Sequence, residues 1–419
     1  MNTLVKYIKK AKNKGFFEIV LSSTIVKALM FLSAMFLPRF LSVSDYALLT
    51  YTETIIQYFL LISGLGLSSV ILKYCSSQDV LIEEKRGYFS YTTVLGTGFN
   101  FVVALCFVVA SLIVTYKIDG ANQLVISMVG IPILSYLFQN LQYLLRADFE
   151  NKKYAYLTII YAVIYVLLQI INAINWGVYG VVIARYIAYF VCIIYGFYLN
   201  KNVFAAKEKK VEKTEKKEML VFSLVLLCGS FFSTALLNNE LLFVGNSFSD
   251  VYFANFKVST YALQICVFFV ESITIFILPY FSKHVDDKKW IWSNFKKVFF
   301  LNAMLMVCVT SLMWIFTKPF ILLVWGEKYL GAVPIMHRLL LASIAQTVFR
   351  AIPGNVLAYV GGEKHTLVIN ICACIIQFAF NGIAFKTIGE VAAGYGLFAS
   401  YLFSGILMTI MIRRLCKRS

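Results

Sequence analysis

Charge is scarce in this sequence, and that scarcity decides the class of protein. Only 14% of the 419 residues are Asp, Glu, Lys or Arg, whereas 60% are hydrophobic, and the mean hydropathy is +0.78. No water-soluble domain of this composition could cover its apolar side chains. Histidine is rarer still, and His284, His337 and His365 lie far apart in the chain. No P-loop, H-E-x-x-H or G-x-S-x-G occurs, so nothing suggests ATP hydrolysis by this chain. The nine cysteines are scattered singly, and the closest pair, Cys372 and Cys374, points to different sides of a helix. Neither a disulfide framework, a metal site nor a cofactor is expected, and the chain is not expected to be an enzyme.

What the sequence does have is a succession of apolar runs of about 20 residues or more, the length needed to cross a bilayer as a helix. In hydrocarbon the backbone must satisfy its own hydrogen bonds, and such runs do so as helices rather than as alternating barrel strands. The expected fold class is therefore an all-α integral membrane protein with twelve transmembrane helices. The spans read as 17–37, 47–72, 89–116, 122–145, 154–175, 178–199, 219–245, 251–281, 293–316, 330–360, 366–385 and 391–412. The first is too long for a signal-peptide core and lacks a convincing A-x-A site, so it reads as an uncleaved span.

The net charge of +17 could suggest nucleic acid, but the basic residues come in short clusters between apolar spans. On the twelve-span threading, most of the 38 Lys and Arg fall on one side. They are the N-terminal Lys6, Lys9, Lys10, Lys12 and Lys14, the lysines between 201 and 217, and smaller groups around 73–86, 146–153, 283–297, 364 and 413–418. The opposite side has only Arg39, Lys117, Lys318, Lys328 and Lys386. The positive-inside rule puts the richer side, and both termini, in the cytoplasm of a cell inner (plasma) membrane.

The Lys/Glu-rich stretch 201–218 divides the chain into a six-span lobe at 1–200 and another at 219–419, with the stretch itself a solvated cytoplasmic linker. Weak echoes relate the halves. Ser44-Asp45-Tyr46 and Ser249-Asp250-Val251 each read as an Asp cap opening an aromatic-rich helix, and Gly177-Val178-Tyr179-Gly180 is echoed by Gly394-Tyr395-Gly396. Six spans return the chain to the same side, so the repeat is parallel, and two lobes should flank a central cavity.

Several segments carry a family likeness. Leu37-Pro38-Arg39-Phe40-Leu41, Ser44-Asp45-Tyr46-Ala47, Gly64-Leu65-Gly66-Leu67, Leu144-Leu145-Arg146-Ala147 and Trp325-Gly326-Glu327-Lys328-Tyr329 with Ala332 resemble the polysaccharide flippases. These are the Wzx branch of the multidrug/oligosaccharidyl-lipid/polysaccharide (MOP) exporter superfamily. The likeness follows the whole chain in order and spacing. It implies a V-shaped pair of six-helix lobes that passes an undecaprenyl-diphosphate-linked sugar unit to the outer leaflet by alternating access, for O-antigen or capsule. The partners it implies are that lipid-linked glycan and the membrane lipids, with a glycan polymerase and a chain-length regulator as candidates; no nucleic acid is expected, and the chain is expected to be a monomer. Two other functions stay open: an ion-coupled drug or metabolite exporter of the same superfamily, and a membrane glycan polymerase.

Charges inside spans are costly, so they face partners or water. Lys27, Lys257, Arg185, Arg338 and Arg350 are candidate substrate contacts, since a diphosphate needs fixed positive groups along its path. Glu53, Glu240 and Glu271 are candidate coupling or ion-pair carboxylates. Lys27 lies about 15 Å into span one, near the midplane, and is either a substrate contact or half of an ion pair with Glu53 or Glu240. Counted from Asp45 and Asp250, Glu53 and Lys257 fall at matching levels, candidates to face one another. Lys257 and Glu271 share one helix face. Pro334 and Pro353 mark span ten, with Arg338 and Arg350, as a place for bending. For Arg350 the competing expectation is a side chain reaching an interface.

Overall fold

The structure, a computed structural model, describes residues 16–76, 80–284, 287–359 and 362–417. The N-terminal lysines up to Lys14, and Arg418, lie outside the described residues. Among those described, regular structure is helical throughout: α1 (Phe16–Phe36), α2 (Val43–Ile62), α3 (Ser68–Cys75), α4 (Ile82–Ile113), α5 (Ala121–Met128), α6 (Ile131–Ala147), α7 (Asn151–Leu199), α8 (Lys201–Ala205), α9 (Lys213–Ser247), α10 (Asp250–Lys283), α11 (Lys288–Val324), α12 (Ala332–Ile344), α13 (Ile352–Tyr359), α14 (Glu363–Thr387) and α15 (Tyr395–Lys417). Among the described residues, ten helical stretches are long and apolar enough to cross a membrane. Large apolar side chains cover their outward faces, such as Leu105, Leu112 and Ile113 on α4 and Phe300, Leu301 and Met304 on α11. Surfaces of that extent call for lipid rather than water.

One of the ten counts twice. A straight α7 of 49 residues would run about 74 Å, more than twice the hydrocarbon thickness. Instead Gly177 leaves helical geometry (φ 57°, ψ −137°) and the chain doubles back. Three pairs prove the reversal: Gly180 against the Asn172 backbone, Arg185 on Tyr165 at 2.8 Å, and the rings of Tyr161 and Tyr189 stacked at 4.8 Å. The two arms correspond to the expected spans 154–175 and 178–199. α1 has 21 residues, about 31 Å, and packs along α7.

The chain forms two compact units, Met1–Leu227 and Cys228–Ser419. In the first, α3, α6 and both arms of α7 enclose a core of Leu67, Val70, Ile71, Leu141, Leu144 and Leu157. In the second, α10 packs on α12, and α15 packs on α14 and on the segment after α12.

The boundary lies inside α9, past the charged stretch expected to be a solvated tether. Part of that stretch is docked. Lys209 gives its backbone N–H to Glu83 O at 3.1 Å and its ammonium to Glu84 at 2.7 Å, Gly87 leaves room for the Lys209 carbonyl, and Tyr88 donates to Glu215 at 3.0 Å. Lys and Glu are good helix formers, which is why α9 begins at Lys213, inside the stretch.

The expected Asp caps need correction. Ser42 and Ser249 are the N-caps, accepting from the backbone N–H of Asp45 at 3.0 Å and Tyr252 at 3.3 Å. Asp45 and Asp250 sit in the first turn, where a carboxylate favours the positive end of the helix dipole. Measured from these caps, Glu53 is eleven residues in and Lys257 eight, so their levels differ by about one turn rather than matching.

The Gly64-Leu65-Gly66 segment bends the second expected span through three positive φ values of 58°, 54° and 71°. Asn100 holds the bend, accepting from Gly64 N–H at 2.7 Å and donating to Ser63 at 2.9 Å.

Two outcomes follow. A Cβ at Gly177 meets nothing within 4 Å, so Gly177→Ala should cost only backbone strain, about 1–3 kcal/mol, read as a lower Tm in detergent; an unchanged Tm would contradict the hairpin geometry. The Glu84 contact raises the pKa of the exposed Lys209 ammonium. Its contribution is therefore complete at neutral pH and fades as pH climbs through that raised value. Hydrogen exchange should show the Lys209 amide protected at neutral pH and released in Glu84→Gln; equal protection in both would contradict the docking.

Candidate functional site

Each unit contains its own charged centre. In the first, Arg185 on the second arm of α7 donates to Glu53 of α2 at 2.5 Å and to the Tyr165 hydroxyl at 2.8 Å, and its guanidinium lies 5.4 Å from the Tyr165 ring. The hairpin at Gly177 makes this possible by folding residue 165 back beside residue 185. Tyr165 continues into stacked Tyr161 and Tyr189, with Phe138 alongside. Both ends of the ion pair are mostly covered, 18% and 28% exposed. Glu53 and Arg185, nominated separately in the sequence, are thus one pair whose charges largely cancel.

In the second unit, Glu240 of α9 is fully buried. Its carboxylate accepts from Gln377 Nε2 at 2.9 Å, Asn381 Nδ2 at 2.8 Å and the backbone N–H of Gly394 at 2.8 Å. Gln377 and Asn381 are four apart on α14, one turn, so both amides reach the same point. Gly394 takes φ +94°, which aims its N–H at Glu240, and Gly396 has no side chain because a Cβ there would overlap Asn381 and Glu240. The amide oxygens of Gln377 and Asn381 have no partner among the described residues, and no ion pair forms at Glu240 there. A buried carboxylate beside spare amide oxygens can hold a proton or a small cation.

Arg350 occupies a π-helical turn, Ala345–Ala351, between α12 and α13. Pro353 has no N–H for the Phe349 carbonyl, and Gly405 lets α15 approach that carbonyl closely. The expected irregularity of span ten is therefore centred at Arg350. Contrary to the expectation that it reaches an interface, Arg350 is 7% exposed, donates to Gln346, Ser233 and Asn370 at 3.1, 3.1 and 3.2 Å, and faces the Tyr401 ring at 5.4 Å.

Arg338, on α12, donates to Glu390 O at 2.8 Å and the Tyr252 hydroxyl at 3.2 Å. Lys27 and Glu271 are exposed and Lys257 half-buried. Along α10, Lys257, Gln264 and Glu271 recur every seven residues on the less covered face, in keeping with the expected shared stripe. Asn381, Gln377 and Tyr165 were not singled out from sequence, although the four-residue spacing of the two amides in an apolar span was a visible signal. No cluster of three or more His, Cys, Asp or Glu fit to hold a metal occurs among the described residues.

The fold has known counterparts. A multidrug resistance MATE family transporter of the MOP superfamily, in an inward-facing conformation, superposes with a TM-score of 0.73 at 13% identity, covering 96% of this chain and 98% of that one. The lipid II flippase MurJ, in an inward closed conformation, superposes with a TM-score of 0.74 at 11% identity, covering 94% and 87%. The chain shares its fold with both of these proteins. Residues 36–334 match the family model described as polysaccharide biosynthesis protein, and the chain belongs to that family. It is also similar to the Lsg locus putative protein 1 of Haemophilus influenzae, 21% identical over 372 residues that make up 84% of this chain and 86% of that protein. The resemblance to polysaccharide flippases of the MOP superfamily read from the sequence agrees with these findings.

The ion pair in the first unit is testable. Arg185→Gln should destabilise the protein by about 3 kcal/mol by leaving Glu53 as an unanswered charge, and the double variant with Glu53→Gln should lose less than the sum of the singles. Strictly additive losses in detergent melts would contradict a direct pair.

Proposed function

We propose that this chain moves undecaprenyl-diphosphate-linked oligosaccharide units across the cell inner membrane by alternating access, for O-antigen, capsule or a related surface glycan. The observation that carries the reading is the polysaccharide biosynthesis family match on a fold that the lipid II flippase MurJ also has. Twelve spans are proposed: the ten helical stretches, the extra arm of α7, and α1. That count returns the chain to its starting side, and the basic clusters argue for cytoplasmic termini.

Lys27 and Lys257 are the proposed contacts for the diphosphate, the first exposed and the second half-buried, each presenting a compact point charge. Arg185 and Arg350 are proposed to act through packing, since Arg185 is paired with Glu53 and Tyr165, and Arg350 donates to Gln346, Ser233 and Asn370 in its own unit. Glu240 is the proposed coupling group, and Glu271 lies on the same stripe as Lys257. A polymerase and a chain-length regulator are proposed as neighbours in the same process, and the carrier is proposed to work as a monomer without a cofactor and without catalysing a covalent step.

A second reading, an ion-coupled drug or metabolite exporter, draws on the oxygen-rich surroundings of Glu240 and on the MATE neighbour. The cationic surplus within the spans argues against cationic cargo.

In liposomes containing the purified protein, lipid-linked oligosaccharide should become accessible on the opposite leaflet, and Lys27→Ala should slow this at least about tenfold, the equivalent of one lost charge-assisted contact. Unchanged translocation in Lys27→Ala would remove Lys27 from the path, and resistance to cationic dyes with no glycan translocation would favour the exporter. If neither a pH nor a sodium gradient alters the rate, Glu240 is not a coupling group.

A further inference from the structure

The second unit has a pocket of about 630 Å³ that the transport path does not explain. It lies where the N-terminal ends of α10 and α12 meet the turn Gly389–Ala392 before α15, and its lining includes Ser249, Tyr252, Asn255, Gly331, Arg338 and Glu390. The size is within the range of small-molecule sites, about 300–1,000 Å³.

Three independent features give it a chemical character. The ends of α10 and α12, of 34 and 13 residues, turn their positive poles toward it. Arg338 adds a full charge. Its guanidinium is anchored by Glu390 O and the Tyr252 hydroxyl, with a longer contact to Pro334 O at 3.4 Å, yet no carboxylate of the described residues pairs with it. Finally, Asn255 is 6% exposed, donates through Nδ2 to Val251 O at 2.9 Å, and leaves its Oδ1 without a partner among the described residues. A buried acceptor left unmatched costs free energy that a ligand hydroxyl would recover.

The combination asks for an anionic group at Arg338 and a hydroxyl donor at Asn255, held in one small molecule. Glu390 narrows the choice, since its exposed carboxylate at the rim repels a polyanion but accepts hydroxyls. A single planar carboxylate on a polyhydroxylated ring meets every demand, pairing in bidentate fashion with the guanidinium while hydroxyls reach Asn255 and Glu390.

We propose that this pocket binds an acidic sugar residue, a uronic acid or its equivalent, of the glycan that the protein carries. The proposal rests on the glycan-carrier reading and adds a substrate class to it. On the proposed topology the pocket opens on the outer side, so it would receive the sugar after passage.

The test is calorimetric titration of full-length, detergent-purified protein with glucuronate, glucose, glycerol phosphate and pyrophosphate, alongside translocation in liposomes from the same preparation. Glucuronate should bind saturably and more tightly than the other three. Arg338→Gln should weaken it at least about tenfold. Because Arg338 also ties two elements together, Val391→Trp is the second variant: Val391 is an exposed lining residue, and a bulky ring there should block binding while leaving Tm unchanged. No saturable binding of glucuronate, binding that survives both variants, or tighter binding of glycerol phosphate or pyrophosphate would overturn the proposal. Glucuronate binding without translocation would sink the carrier reading and leave the pocket; translocation without glucuronate binding would do the reverse.

Discussion

A charge placed in hydrocarbon must be answered within a few ångströms, and each unit of this protein meets that requirement internally. The first unit pairs Arg185 with Glu53 and adds a tyrosine hydroxyl. The second keeps Glu240 and Arg350 apart in function: the carboxylate is held by amide donors, the guanidinium by amide and hydroxyl oxygens and an aromatic face. The two solutions differ in consequence. An ion pair is already neutral and fixes packing, whereas the Glu240 carboxylate is held by neutral donors alone, with no opposite charge paired to it among the described residues.

The backbone obeys the same rule. Where helices break inside the apolar region, a specific group replaces the lost hydrogen bond or a glycine relieves the strain. Asn100 serves the bend at Gly64, and Gly405 lets α15 close over the Phe349 carbonyl, to which Pro353 has no N–H to offer. The segments that carry the family likeness are largely such places. Gly64-Leu65-Gly66 provides consecutive positive φ values, and Trp325-Gly326-Glu327-Lys328-Tyr329 closes a loop at a glycine with φ +84° while burying Trp325 and Tyr329. Their recurrence reflects folding geometry, which is why they indicate the architecture and leave the cargo unspecified.

The helices were legible because apolar run length maps directly onto bilayer thickness, and the hairpin at Gly177 was legible because a glycine separated two full-length runs. Helix ends were less so. Ser42 and Ser249 cap where Asp45 and Asp250 were expected to, since all four are good capping residues and the choice depends on backbone dihedrals that sequence does not display. The charged residues were found as individuals, but their pairing was not: Glu53 and Arg185 are 132 residues apart and meet only because α2 packs against α7. The amides around Glu240 were missed for a different reason. Asn and Gln carry no charge, so a search for costly charges passes over the groups that make such a charge tolerable.

The proposed diphosphate contacts require water to reach Lys27 and Lys257 while the polar centre of each unit stays dry. Thiol labelling tests this directly, with Lys27→Cys, Lys257→Cys and the fully buried Ser404→Cys each placed in a background lacking the nine native cysteines. A membrane-impermeant reagent should modify positions 27 and 257 far faster than position 404. Equal, slow reaction at all three would contradict the account, because lysines out of reach of water could not receive a hydrated diphosphate.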